Sequence, residues 1–177
     1  RWHVANIENL PFENEQFTKA FCQQGIQYFP REVAALTEIR RVMQPRAQLI
    51  MTVWGGASDF FIAMAKSVSN HVSPEAGNKY LAPFSYKSAN NLIKMLTSAG
   101  FGEVTRKTLT VDRTMRNLAL SIPAEILGHP AGPLVQEAGK TVLHAVAREV
   151  TEACAKYQVG DDLIVPQRTD LFIATAT

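Results

Sequence analysis

The chain has 177 residues, with 18 lysines and arginines against 16 aspartates and glutamates, and a net charge of +2. That length predicts one domain, and 46% hydrophobic against 19% charged residues exclude an intrinsically disordered polymer. The small positive excess is dispersed, which leaves no basic footprint for nucleic acid, and no apolar run approaches the ~18 residues of a membrane span.

In chain order, Trp2 to Ile7 reads as a short strand leaving into a turn-like stretch from Glu8 to Glu15. Lys19-Ala20-Phe21-Cys22-Gln23 is apolar without strict alternation, the habit of a parallel strand covered on both faces. A helix follows from Pro30. Val33, Leu36, Ile39, Val42 and Met43 recur at three- and four-residue spacing, and Gln44-Pro45 ends it because the residue before proline avoids helical dihedrals. Arg40-Arg41 with Arg46 reads as a solvated helix end. Gln48 to Trp54 is a second buried strand, so the whole predicts a βαβ unit with a right-handed crossover.

After Gly55-Gly56, the residues Phe60, Phe61, Met64, Ala65 and Val68 form one helical stripe. Ala76-Gly77-Asn78 and Pro83 predict a loop region. Ser88 caps a helix whose Leu92, Ile93, Leu96 and Ala99 face inward, closed by Gly100 in a left-handed conformation. A strand runs from Phe101 to about Val111. Pro123, Gly128, Pro130, Gly132 and Pro133 break the segment 117–133 into short helices and turns, and a longer helix is expected from Leu134 to Tyr157. Gly160-Asp161-Asp162 is a turn, and Leu171 to Ala174 a last buried strand. The fold class is therefore α/β, a sheet coated by helices.

Several chemistries find no support in these residues. The start, Arg1-Trp2-His3-Val4-Ala5, lacks the shape of a signal peptide, and two cysteines, Cys22 and Cys154, are too few for a disulfide framework, so a cytoplasmic chain with reduced thiols is expected. The four histidines show no metal spacing, and Gly55-Gly56-Ala57-Ser58 is not the G-x-S-x-G elbow of a serine nucleophile.

Asn9-Leu10-Pro11-Phe12, Gln16-Phe17, Cys22 to Pro30, Glu38 to Pro45, Val53-Trp54-Gly55, Pro83-Phe84-Ser85 and Ala99-Gly100-Phe101 carry a likeness in their order and spacing. Together they resemble the class I S-adenosylmethionine-dependent methyltransferases, in the small-molecule, methyltransferase type 11 or ubiquinone-biosynthesis-like branch. The resemblance implies a Rossmann-like, doubly wound sheet, mostly parallel, with an antiparallel C-terminal strand. The family's N-terminal strands and its glycine-rich G-x-G-x-G turn are missing, because this sequence opens at what looks like the family's third strand. It implies a single incomplete domain over 1–177, the C-terminal two-thirds, with lid insertions near 55–87 and 117–133. It also leaves the Lys19 to Gln23 strand beside a gap two strands wide, an edge open to strand pairing or self-association.

The implied cofactor is S-adenosyl-L-methionine. By resemblance Asn6 and Ile7 stand where the family holds adenine with an acidic and a small residue; Asn6 accepts a hydrogen bond without charge assistance, or is simply a turn former. Gln23, Gln24 and Gly25 would line the cofactor at the carboxyl edge of the sheet, with Gly25 permitting close backbone approach, and the same stretch also suits a plain strand end. Gln27, Tyr28, Trp54 and Phe84 would wall the acceptor pocket, with Asp59 and Tyr86 also following strand ends, although Trp54 equally suits packing. No catalytic residue and no metal ligand is assigned, since in-line methyl displacement needs positioning before acid–base chemistry. The implied function is S-adenosylmethionine-dependent methyl transfer to a small-molecule acceptor, here by a C-terminal fragment. The alternative is a degenerate, non-catalytic methyltransferase-like binding module. Nicotinamide dehydrogenases share the α/β pattern but none of these sequence words. The partners implied are the acceptor, no nucleic acid and no membrane.

Overall fold

The computed structural model describes residues 1–84 and 89–177, Ala89 by its backbone alone, so the expected Ser88 cap and Tyr86 lie outside the described residues. The chain forms two compact units. One comprises Arg1–Trp54, Tyr86–Leu109 and Thr169–Thr177, and the other Gly55–Ser85 and Thr110–Arg168.

The first unit is built on the predicted βαβ element: β1 (Phe17–Gln23), α1 (Glu32–Val42) and β2 (Met43–Trp54). β1 and β2 are parallel, with Lys19 opposite Gln48 and Gln23 opposite Thr52. The last strand, β5 (Asp162–Ala176), runs antiparallel to β2, pairing Leu49 with Ala174 and Trp54 with Thr169. With β3 (Phe101–Met115) beyond it, the sheet order is β1-β2-β5-β3, and the two-residue β4 (Gln158–Val159) pairs with β5 off this path. The sheet is mixed and α/β, with the expected antiparallel C-terminal strand.

Alternation decides what each strand buries. Ala47, Leu49, Met51 and Val53 of β2 point with Phe172, Ala174 and Ala176 of β5 into a core completed by Leu36 and Ile39 of α1 and by Leu92 and Leu96 of α4 (Ala89–Ser98). Gly100 closes α4 at φ +90°, as its position predicts. α1 stops at Val42, and Met43 already heads β2 ahead of Gln44-Pro45. The β1/β2 register jumps between Phe17↔Met43 and Lys19↔Gln48, and Arg46 takes φ +65° inside that irregularity.

Two expectations about this unit fail. Trp2 to Ile7 is not a strand: it carries an isolated bridge from Asn6 to Asn9, and Trp2 and Val4 are fully exposed. The Lys19 to Gln23 strand is not covered on both faces either; β1 ends the sheet, and Phe21 is 72% exposed. A strand needs a neighbour for its backbone groups, and among the described residues none lies beside β1 on its outer edge.

The Arg40-Arg41 pair is not a solvated helix end. Arg41 bonds the Glu38 carboxylate, the carbonyls of Leu10 and Phe12 and Asn14 Oδ1, while Glu38 accepts from Leu10 N at 2.8 Å. Hydrogen bonding from Arg41 holds the Glu38 carboxyl below its usual range. Arg40 bonds the carbonyls of Met43 and Thr177. These two side chains fasten the N-terminal arm and the C-terminus to α1.

The second unit holds β4, the end of β3 and the start of β5 together with α2 (Asp59–His71), α3 (Pro74–Leu81), α5 (Leu118–Gly128), α6 (Gly132–Ala138) and α7 (Lys140–Ala153). The predicted α2 stripe of Phe60, Phe61, Met64, Ala65 and Val68 is buried against Tyr80, Ile122, Ile126, Val135, Val146 and Val150. Around Ala76-Gly77-Asn78 the expected loop is instead α3, started by Pro74 and capped by Ser73 Oγ accepting from Ala76 N at 3.1 Å. Pro123 sits inside α5 without ending it. The single helix expected from Leu134 to Tyr157 is α6 and α7, parted at Gly139, whose φ of +96° no helix accommodates, followed by a 3-10 turn at Ala155–Tyr157. Among the described residues no helix is long and apolar enough to cross a membrane.

Candidate functional site

The carboxyl ends of β1 and β2 lie side by side, and Gln24 N extends their ladder by one bond, 2.9 Å to Thr52 O. Gln24 then turns at φ +50°, a left-handed conformation that costs a non-glycine residue about 1 kcal/mol. Its Nε2 donates to Thr169 Oγ1 at 3.1 Å, and Thr169 Oγ1 in turn donates to Val53 O at 2.9 Å. Gly25 leads into a 3-10 turn, Ile26–Tyr28, anchored by the fully buried Ile26.

This corner gathers polar atoms that the protein itself does not satisfy. Gln24 Oε1, both amide atoms of Gln27 and Thr52 Oγ1 are buried and have no hydrogen-bond partner. Each such atom costs about 1–3 kcal/mol when left without one. Thr52 borders, with Phe21, Cys22, Gln23 and Ile50, an open hollow of about 160 Å³ on the face of β1 and β2 turned away from α1. Cys22 is held as a thiol, since burial pushes its pKa up against the opposing bonds from the Gly25 and Ile26 amides. A Cβ on Gly25 would stand 2.9 Å from Cys22 Sγ, so the turn packs this glycine against the end of β1.

Of the cofactor residues read from the sequence, Gln23, Gln24 and Gly25 therefore sit together at this edge, Gln23 exposed and the other two half-buried. Gln27 joins them, and Tyr28 follows at 60% exposure. Asn6 is engaged elsewhere: its Oδ1 accepts from Glu8 N at 3.0 Å and its carbonyl from Asn9 N at 2.9 Å, which is the turn former's role. Ile7 lines a separate apolar groove of about 290 Å³ with Leu10, Phe12, Phe17, Ala20 and Phe29. Trp54 is half-buried at the end of β2. Phe84 belongs to the second unit, its ring 4.4 Å from that of Phe61. Asp59 does not stand open but accepts from Lys156 Nζ at 2.7 Å and Tyr157 Oη at 2.8 Å.

Sequence reasoning missed Thr52 and Thr169. Thr52 was hidden inside an apolar strand, where the available signal was a hydroxyl near its carboxyl end; Thr169 lies mid-way along β5 among polar residues, and only the antiparallel pairing with Trp54 brings it to this edge.

The order β1-β2-β5-β3, with β5 antiparallel to β2, makes a mixed α/β sheet. Residues 1–51 match the family described as "Methyltransferase domain". Among solved structures, a candidate methyltransferase from Bacillus halodurans shares 17% identity at a TM-score of 0.52, covering 98% of this chain and 70% of that one. The YcgJ protein from Bacillus subtilis shares 13% at 0.54, covering 99% of this chain and 70% of its own. An S-adenosylmethionine-dependent methyltransferase from Thermotoga maritima shares 15% at 0.51, covering 98% and 62%. No curated protein sequence matches the chain. By sequence over its first 51 residues and by fold over nearly all of its length, the chain resembles the class I methyltransferases.

Proposed function

We propose that this chain carries one wall of the cofactor cleft of a methyltransferase acting on a small-molecule acceptor. S-adenosylmethionine is the cofactor of the family that residues 1–51 match. The observation that supports the reading is the set of unpartnered buried polar atoms at Gln24, Gln27 and Thr52, at the carboxyl edge of the sheet.

These residues fit a polar nucleoside in kind: Gln24 Oε1 accepts, the Gln27 amide both donates and accepts, and the Thr52 hydroxyl does either. The bound cofactor would supply an electrophilic methyl group on a sulfonium. The chain's part is to hold and to exclude water, and its uncharged side chains here suit that task. No carboxylate among them fixes the cation in its ground state, and none titrates near neutrality, so the wall positions without moving a proton. Buried Ile26 keeps the turn that presents Gln24 and Gln27 in place.

Calorimetric titration of the protein with S-adenosylhomocysteine tests this, with Gln27→Leu as the variant. Leucine fills the same space without polar atoms, so folding stability holds or rises while affinity falls roughly tenfold. Unchanged affinity in a folded variant would remove Gln27 from the site. A second reading, a degenerate binding module, is favoured by Asn6, whose side-chain oxygen is spent on Glu8 N where the family places an acid. That reading requires the unaltered protein to give no heat with the same ligand.

A further inference from the structure

The second unit contains a cavity of about 340 Å³ at the N-terminus of α2, bordered by Gly55, Gly56, Ser58, Thr110, Tyr157 and Arg168. The amides of the first turn of a 13-residue helix open toward such a space without intrahelical acceptors, and the helix dipole favours negative charge there. Ser58 is the N-cap residue and is only 8% exposed, yet its Oγ makes no hydrogen bond, not even the capping bond its position offers. The Arg168 side chain has no ion-pair or hydrogen-bond partner among the described residues. The turn between them is fixed: Gly55 N donates to Arg168 O at 2.9 Å, and the buried Gln167 donates through Nε2 to Gly56 O at 2.8 Å.

The one acid at the rim, Asp59, is neutralised by its bonds to Lys156 and Tyr157, so the helix end and Arg168 leave the cavity positive. A buried hydroxyl without a partner, an unpaired guanidinium and free helix amides converge on one chemistry, that of a compact oxyanion. We propose that this cavity binds the phosphoryl or carboxylate group of a small molecule, held by Arg168, Ser58 Oγ and the first-turn amides of α2. The site lies wholly in the second unit and does not depend on the methyl-transfer reading.

The test is a titration of the protein followed by amide resonances, with inorganic phosphate and separately with acetate, against chloride at equal ionic strength. The resonances of Gly55, Gly56, Asp59 and Phe60 are expected to shift saturably with at least one probe, and which probe binds assigns the group as phosphoryl or carboxylate. Arg168→Gln weakens that binding roughly tenfold, as loss of a charge-assisted bond does. Ser58→Ala weakens it too, and its stability is unaffected because no capping bond is lost. Lys66→Gln, on the exposed side of the same helix, removes the same charge and leaves binding unchanged. Absence of saturable shifts with both probes overturns the proposal, as does an unweakened Arg168→Gln or an equal loss in Lys66→Gln.

Discussion

His129 shows how far one side chain's chemistry depends on its surroundings. Its ring stacks on the buried Tyr80 at 4.2 Å, and Nδ1 accepts from Ala131 N at 3.1 Å, so the proton of the neutral ring sits on Nε2, buried without a partner. Burial lowers its pKa, against an opposing pull from Glu125, which is ion-paired to Arg113. A histidine whose folded pKa is depressed contributes stability that is present above its ordinary 6.5 and lost as pH falls below it. Glu149, whose carboxyl is held down first by Ser67 and then by His71, loses its contribution only below the ordinary carboxylate value of 4.5, so the two windows are separate. Urea unfolding between about pH 7 and about pH 5 is therefore expected to show stability falling with pH, and His129→Phe to flatten that slope. An unchanged slope in the variant would assign it to another group. None of this was legible in the sequence, where His129 reads as a lone histidine in a broken segment. Tyr80 and Ala131 reach it only through the fold. The place of Gln24, by contrast, was legible, because it directly follows an apolar strand that the structure pairs in parallel with β2.

At the scale of elements, apolar periodicity placed α1 and α2, while punctuation signals held at Gly100 and failed at Gly77. The apolar faces of α1 and α2 appear where three- and four-residue recurrence places them, and Gly100 closes α4 in the left-handed conformation its position called for. Gly77 reads as a loop residue yet lies within α3, and the reason is tertiary. A Cβ there would stand 1.9 Å from Ser69 Oγ and 2.4 Å from Ala65 O, both on α2, so its missing side chain is what lets the two helices touch. Ser69 can swing aside, but the Ala65 carbonyl is backbone. Gly77→Ala is accordingly expected to destabilise by about 1–3 kcal/mol or more despite alanine's better helix propensity, measured as a lower urea midpoint. A stabilised variant would mean that the α2/α3 approach is looser than this. Gly139 worked the opposite way: it was read through as part of one long helix, and its positive φ instead parts α6 from α7.

On the scale of the whole molecule, the antiparallel last strand was readable from the resemblance, while the sheet order β1-β2-β5-β3 was not, since the stretch from Trp2 to Ile7 that was to be a strand is none. The outer backbone groups of β1 have no partner strand among the described residues, and on a face of the same strand Phe21 is 72% exposed beside a hollow lined by Ile50 and Thr52. An edge of this kind is a template for another copy of the same strand, and a net charge of +2 supplies little repulsion to keep copies apart. Self-association is expected to rise with protein concentration in sedimentation velocity. Phe21→Lys should suppress it, because lysine keeps β1 paired to β2, costs little at so exposed a position, and places a charge that a second copy would have to bury against its own. Should the lysine variant associate as the unaltered protein does, the contact lies on another surface. Should both stay monomeric at high concentration, the twist and bulge near Arg46 already protect the edge.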